Sequence, residues 1–186
     1  MTKTLRLLLT LLATLLVAPA AFAQINILPE VRAGISARGI DDGNGLFEAG
    51  RISDANVELL FKAPDLNAWS VLGELRPHLG ATVSLSGQDS YGYAGLSWTF
   101  RVPVLPVFVE ASAGGFARTS LVSAPEGDAS RNFGCGAGLR LAASAGVDLP
   151  LGASIIGTVE HLPDFGSCGT SDYAATNVGV RLGFRF

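Results

Sequence analysis

Polar and apolar residues alternate along most of the chain with a period of two. The last segment is the clearest. Val178, Val180, Leu182, Phe184 and Phe186 fall on one face, and Asn177, Gly179, Arg181, Gly183 and Arg185 on the other. Successive side chains of a strand point to opposite faces, and no helical period fits this pattern. The alternation recurs in seven earlier segments, near residues 30–38, 56–62, 74–86, 91–101, 105–117, 132–147 and 154–161. One face of each is largely apolar, as in Leu75, Leu79, Ala81, Val83 and Leu85, or Ala94, Leu96, Trp98 and Phe100. The other is small, polar or charged, as in Glu74, Arg76, His78, Thr82 and Ser84, or Phe108, Glu110, Ser112 and Gly114. Eight such segments predict an all-β fold, an eight-stranded antiparallel transmembrane β-barrel with lipid outside and polar residues within.

The polar faces carry Glu30, Glu58, Glu74, Glu110 and Glu160 against Arg32, Arg38, Arg76, Arg101, Arg140, Arg181 and Arg185. A barrel this small fills its interior with its own side chains. Charges of both signs predict internal ion pairs and a plugged core, which disfavours a diffusion pore. Short links are expected near 88–89, 102–105 and 148–151, and longer ones at 39–50, 118–131 and 165–173. With both termini in the periplasm, those longer links lie outside. The link at 64–71 is a long periplasmic turn.

The N-terminus sets the compartment. Lys3 and Arg6 precede an apolar run from Leu7 to Ala20, followed by Ala21-Phe22-Ala23. This reads as a secretory signal peptide over residues 1–23, cut before Gln24, with the barrel over 24–186. A membrane anchor is disfavoured because the run falls short of the ~20 residues a spanning helix needs. The chain is 48% hydrophobic with a mean hydropathy of +0.39, yet has no later run long enough for such a helix. A closed barrel reconciles the two, since only helices and barrels satisfy every backbone group in lipid. The expected location is the bacterial outer membrane, and a terminal Phe186 resembles the closing residue of outer-membrane barrels.

A net charge of −3 without a basic cluster argues against a nucleic-acid partner. Cys135 and Cys168 sit in an exported chain, where a disulfide is the natural expectation. The topology sets one beside strand 6 and the other in the loop after strand 7. Two cysteines with two scattered histidines, His78 and His161, do not suggest a metal site, and no cofactor is implied. His78 falls on the polar face and reads as a hydrogen-bonded interior residue. His161 shares parity with Ile155 and Val159, on the face that meets lipid. A titratable side chain there is unfavourable unless it sits at headgroup level or serves a task.

Three blocks carry a family resemblance: Pro106 through Gly114, Phe133 through Arg140, and Val159-Glu160-His161 continuing from Asn177 to Phe186. Together they resemble the outer-membrane lipid A 3-O-deacylases and their acyloxyacyl-hydrolase-like relatives over roughly the C-terminal half. The resemblance implies an eight-stranded barrel with an active site on its lipid-facing wall and lipopolysaccharide as partner. It further implies a His-x-Ser-Asn motif ending the penultimate strand, with a Glu on the last strand orienting the His. Here His161 matches the family's base. Pro163 stands at the Ser position and Asp164 at the Asn position, while the Glu position falls at 175–177, where no carboxylate exists. The family's nucleophilic route therefore cannot run unchanged. Candidate substitutes follow His161: Ser167 or Ser171 as nucleophile, Asp164 or Asp172 as orienter. Two functions stay open, a lipid A acyl-ester hydrolase with relocated partners, and a non-catalytic barrel with a structural, adhesive or lipopolysaccharide-contact role.

Overall fold

A computed structural model describes residues 29–38, 52–63, 73–119, 137–163 and 175–186. The strands are β1 (Glu30–Ala37), β2 (Ile52–Leu60), β3 (Glu74–Ser84) and β4 (Ser90–Arg101), then β5 (Val107–Thr119), β6 (Ala137–Asp148), β7 (Ala153–Leu162) and β8 (Ala175–Arg185). Each pairs antiparallel with its sequence neighbours, and β1 pairs with β8 to close the barrel. Closure sets Glu30 against Arg185 and Ala37 against Val178. No helix among the described residues is long and apolar enough to cross a membrane, which says nothing of a β-barrel, since barrels cross with strands.

The period-two reading places the side chains correctly in all eight strands. Val57, Leu79, Leu96, Val109, Leu141, Ile155, Val180 and Leu182 form an exposed apolar wall. Trp98 stacks on Phe100, and Phe184 meets Phe186 edge-on, so aromatic pairs mark the wall near the end that holds the termini. Lys62 departs from the expectation: β2 ends at Leu60, and Lys62 is exposed beyond it rather than turned inward.

The interior is inverted relative to a water-soluble protein. Arg32, Arg76 and Arg140 are among its most buried side chains. Buried charges are tolerable only when paired and hydrogen-bonded, and here they are. Arg32 donates to Glu30 at 2.6 Å, to Glu110 at 2.6 and 2.9 Å, and to Glu58 at 3.3 Å. Arg76 donates to Glu30 at 2.6 Å and to Thr99 at 2.9 Å. Arg181 donates to Glu58 at 3.0 Å, and Arg140 to Glu160 at 2.5 Å. The Arg140 guanidinium also lies 3.9 Å from the centroid of the Tyr93 ring. Aromatic rings fill the gaps between these charges. Tyr93 packs where Gly80 lacks a side chain, and a Cβ at Gly80 would overlap its ring. The lumen is thus plugged by a cross-linked set of ions, as its mixed signs predicted. His78 is buried on the polar face and hydrogen-bonds Ser97 through Nδ1 at 2.9 Å.

The links split by end. The turns at 102–106 and 149–152 join β4 to β5 and β6 to β7 at the end that holds the termini. Residues 85–89 join β3 to β4 at the opposite end. The signal peptide expected over 1–23 and the longer links expected at 39–50, 64–71 and 165–173 lie outside the described residues, as do Cys135 and Cys168; of the link expected at 118–131, Arg118 and Thr119 belong to β5 and the rest lies outside the described residues.

Candidate functional site

His161 is the penultimate residue of β7. Its neighbours in the chain are locked into the interior. On one side Glu160 accepts from Tyr91 Oη and from Arg140. On the other, Leu162 is buried against Tyr91, Tyr93 and Phe116. With both flanking side chains pinned inward, the alternation of a strand forces His161 outward. It stands there half-buried, on the same face as the exposed Ile155 and Val159.

Across the sheet His161 pairs with Leu141 of β6 on one side and Thr176 of β8 on the other. Its Nδ1 lies 3.0 Å from Thr176 Oγ1, a hydrogen bond between side chains facing each other on the outer wall. That hydroxyl orients the imidazole, although it would stabilise an imidazolium less than a carboxylate does. Pro163, half-buried just past β7, has neither a hydroxyl nor an amide N–H to offer.

Of the residues singled out in the sequence, His161 is thus placed on the wall with a partner. Asp164, Ser167, Ser171 and Asp172 lie outside the described residues. Thr176 went unnamed in the sequence, though the signal was present: Asn177 belongs to the polar face, which sends Thr176 outward. What parity could not supply is the register that sets Thr176 opposite His161.

The lumen is the other place where polar groups converge. A small cavity there is lined by Ser36, Asn56, Thr82, Thr158, Asn177 and Arg181, among others. It is of water size, and its surroundings are engaged in the ion network, so it suits solvent and not a substrate. Among the described residues no group of three or more His, Cys, Asp or Glu side chains is placed to hold a metal ion.

No family model matches the chain, and no curated protein matches it in sequence. Solved structures do. It has the fold of an outer-membrane barrel. The outer membrane enzyme PagL superposes with a TM-score of 0.55 at 16% identity, over 84% of this chain and 99% of that one. The N-terminal β-barrel domain of Pseudomonas aeruginosa OprF gives 0.51 at 10% identity, over 85% and 98%. Likeness to an enzyme and to a barrel domain of another protein alike shows architecture, and it supports a place in the bacterial outer membrane. Chemistry must be argued from the site.

Proposed function

We propose that the chain is an outer-membrane hydrolase that works on the lipid-facing side of its own wall, removing an acyl chain from lipid A with His161 as general base. The observation that carries this reading is the 3.0 Å contact between His161 Nδ1 and Thr176 Oγ1. A histidine facing lipid is unfavourable, and one oriented by a cross-strand hydroxyl has a use that would explain it. With Thr176 Oγ1 accepting from Nδ1–H, the Nε2 lone pair is left as the base. A serine hydroxyl of the adjoining loop, Ser167 or Ser171, replaces the one lost at Pro163. It gives its proton to Nε2 and attacks the ester carbonyl. The sugar oxygen leaves with that proton, and water then releases the fatty acid from the serine. Asp164 or Asp172 completes the charge stabilisation of the imidazolium. The sequence resemblance to lipid A 3-O-deacylases supports this substrate class, and the likeness to the outer membrane enzyme PagL supports the fold on which it would run.

The test is the lipid A mass spectrum of Gram-negative cells expressing the protein. Wild type is expected to remove one hydroxyacyl chain and His161→Ala to remove none. Thr176→Val is expected to slow removal, and Ser167→Ala or Ser171→Ala to abolish it at the position that attacks. A spectrum unchanged by wild-type expression would overturn the reading.

Pro163 favours a second reading, in which the wall site binds lipopolysaccharide without cleaving it. Purified barrel would then hold lipopolysaccharide in a way that His161→Ala weakens, while lipid A in cells stays intact.

A further inference from the structure

Two neighbouring turns at the end that holds the termini have an unusual composition. Residues 102–106 read Val-Pro-Val-Leu-Pro, and residues 149–152 read Leu-Pro-Leu-Gly. Both carry the proline that turns favour, and the second a glycine, but neither contains a polar side chain such as the Asn, Asp or Ser common in turns exposed to water. The turns lie side by side, since Asp148 N donates to Pro106 O at 2.7 Å.

Their backbones make the composition more telling. Val104 has φ +75° and Leu151 φ +64°, the left-handed region that favours glycine and asparagine. A β-branched valine is among the least suited residues there. Both side chains are thrown fully outward, with Val104 102% and Leu151 92% exposed. An awkward backbone thus presents two large apolar side chains to the surroundings.

The charges at this end are turned the other way. Arg101 and Arg185 both pair with Asp148, at 3.3 and 2.6 Å, and Arg101 approaches Glu74 at 3.5 Å. These groups belong to the polar face and ring the mouth of the lumen. The outer surface of the turns is left apolar and runs without a break into the wall through Val107, Val109, Val147 and Ile155. Trp98 and Phe100 mark the level of an aromatic girdle. From there a tilted strand carries the turn tips roughly 5–8 Å further, about the depth of the polar interfacial layer of a bilayer.

We propose that these two turns are a paired hydrophobic anchor, seated in the headgroup–acyl boundary of the phospholipid leaflet that surrounds this end of the barrel. Continuity with the lipid-facing wall commits the occupant to lipid, and the absence of any polar side chain on the turns leaves nothing to specify a protein partner.

Tryptophan placed at the tips reads the depth. Val104→Trp and Leu151→Trp are made separately in the full barrel with Trp69→Phe and Trp98→Phe. Each is refolded into phosphatidylethanolamine–phosphatidylglycerol vesicles, with folding checked by heat-dependent gel mobility. Phospholipid brominated near the headgroup end of its acyl chains is expected to quench either probe at least twofold, and aqueous acrylamide to quench it at least threefold less than free N-acetyltryptophanamide. Should one variant fail to fold, the other reads the same surface. Acrylamide quenching equal to that of the free indole, with no effect of the brominated lipid, would overturn the proposal. A second measurement uses Val104→Asn with Leu151→Asn, residues that suit the left-handed backbone. The double variant is expected to fold in detergent as well as wild type and to insert into vesicles at least threefold more slowly. Unchanged insertion would count against the anchor.

Discussion

Arg32→Met removes the cation on which one layer of the lumen turns. Its guanidinium makes four hydrogen bonds to three carboxylates, those of Glu30, Glu58 and Glu110. Removing one member of a buried pair is destabilising by roughly 3–5 kcal/mol, because the partner stays behind as an uncompensated charge. Here each carboxylate keeps some support. Glu30 retains Arg76 at 2.6 Å, Glu58 retains Arg181 at 3.0 Å and Tyr93 at 2.9 Å, and Glu110 retains Thr99 at 2.6 Å. The expected loss therefore falls at the low end, about 3 kcal/mol. Methionine fills much of the volume, so the loss is electrostatic and not a cavity effect. Adding Glu110→Gln restores the charge balance and is expected to recover at least about 1 kcal/mol, a coupling that a pair in direct contact should show. The assay is reversible urea unfolding in phospholipid vesicles, followed by tryptophan fluorescence. A loss under about 1 kcal/mol for Arg32→Met, or a double variant no more stable than the single one, would refute the view that these charges hold the lumen together.

Val180→Arg, on the apolar wall, is expected to destabilise the inserted barrel by about 2–4 kcal/mol in the same titration, while a soluble-type surface would show almost no change. Gly80→Ala drives a Cβ into the Tyr93 ring, and a loss of about 1–3 kcal/mol is expected, measured by urea midpoint. Planar-bilayer recordings of the wild type should show no steady conductance, since paired ions cross the lumen; a stable open channel would contradict the plugged interior. Non-reducing mass analysis should find Cys135 linked to Cys168 in protein taken from the membrane.

Much of the architecture was legible because a barrel strand has only two faces. Parity alone sent Phe108 inward and Trp98 outward, though composition would treat the two aromatics alike. It sent Arg32, Arg76 and Arg140 into the interior, where a rule of greasy cores would never put them. Partnership was not legible. Nothing local says that Arg32 reaches Glu110, 78 residues away, or that Arg140 chooses Glu160. Those choices depend on shear around the closed sheet, which no single segment encodes. The candidate site divides in the same way. The outward direction of His161 is a property of its own strand, readable from Glu160 and Leu162. Its hydrogen bond to Thr176 is a property of the register between β7 and β8. Lys62 was misplaced because parity holds only while the strand lasts, and β2 ends two residues earlier.

The pairing of β1 with β8 has a consequence for the order of events in biogenesis. Glu30 meets Arg185 at the seam, so the first strand has no second neighbour until the last has been made. An unpaired strand edge is an aggregation hazard. Contacts between residues so far apart in sequence also form slowly, because the loop they close is long. The ring can be sealed only once the C-terminal strand is in place, and a polypeptide cut short before β8 would leave the edges of β1 and β7 unpaired.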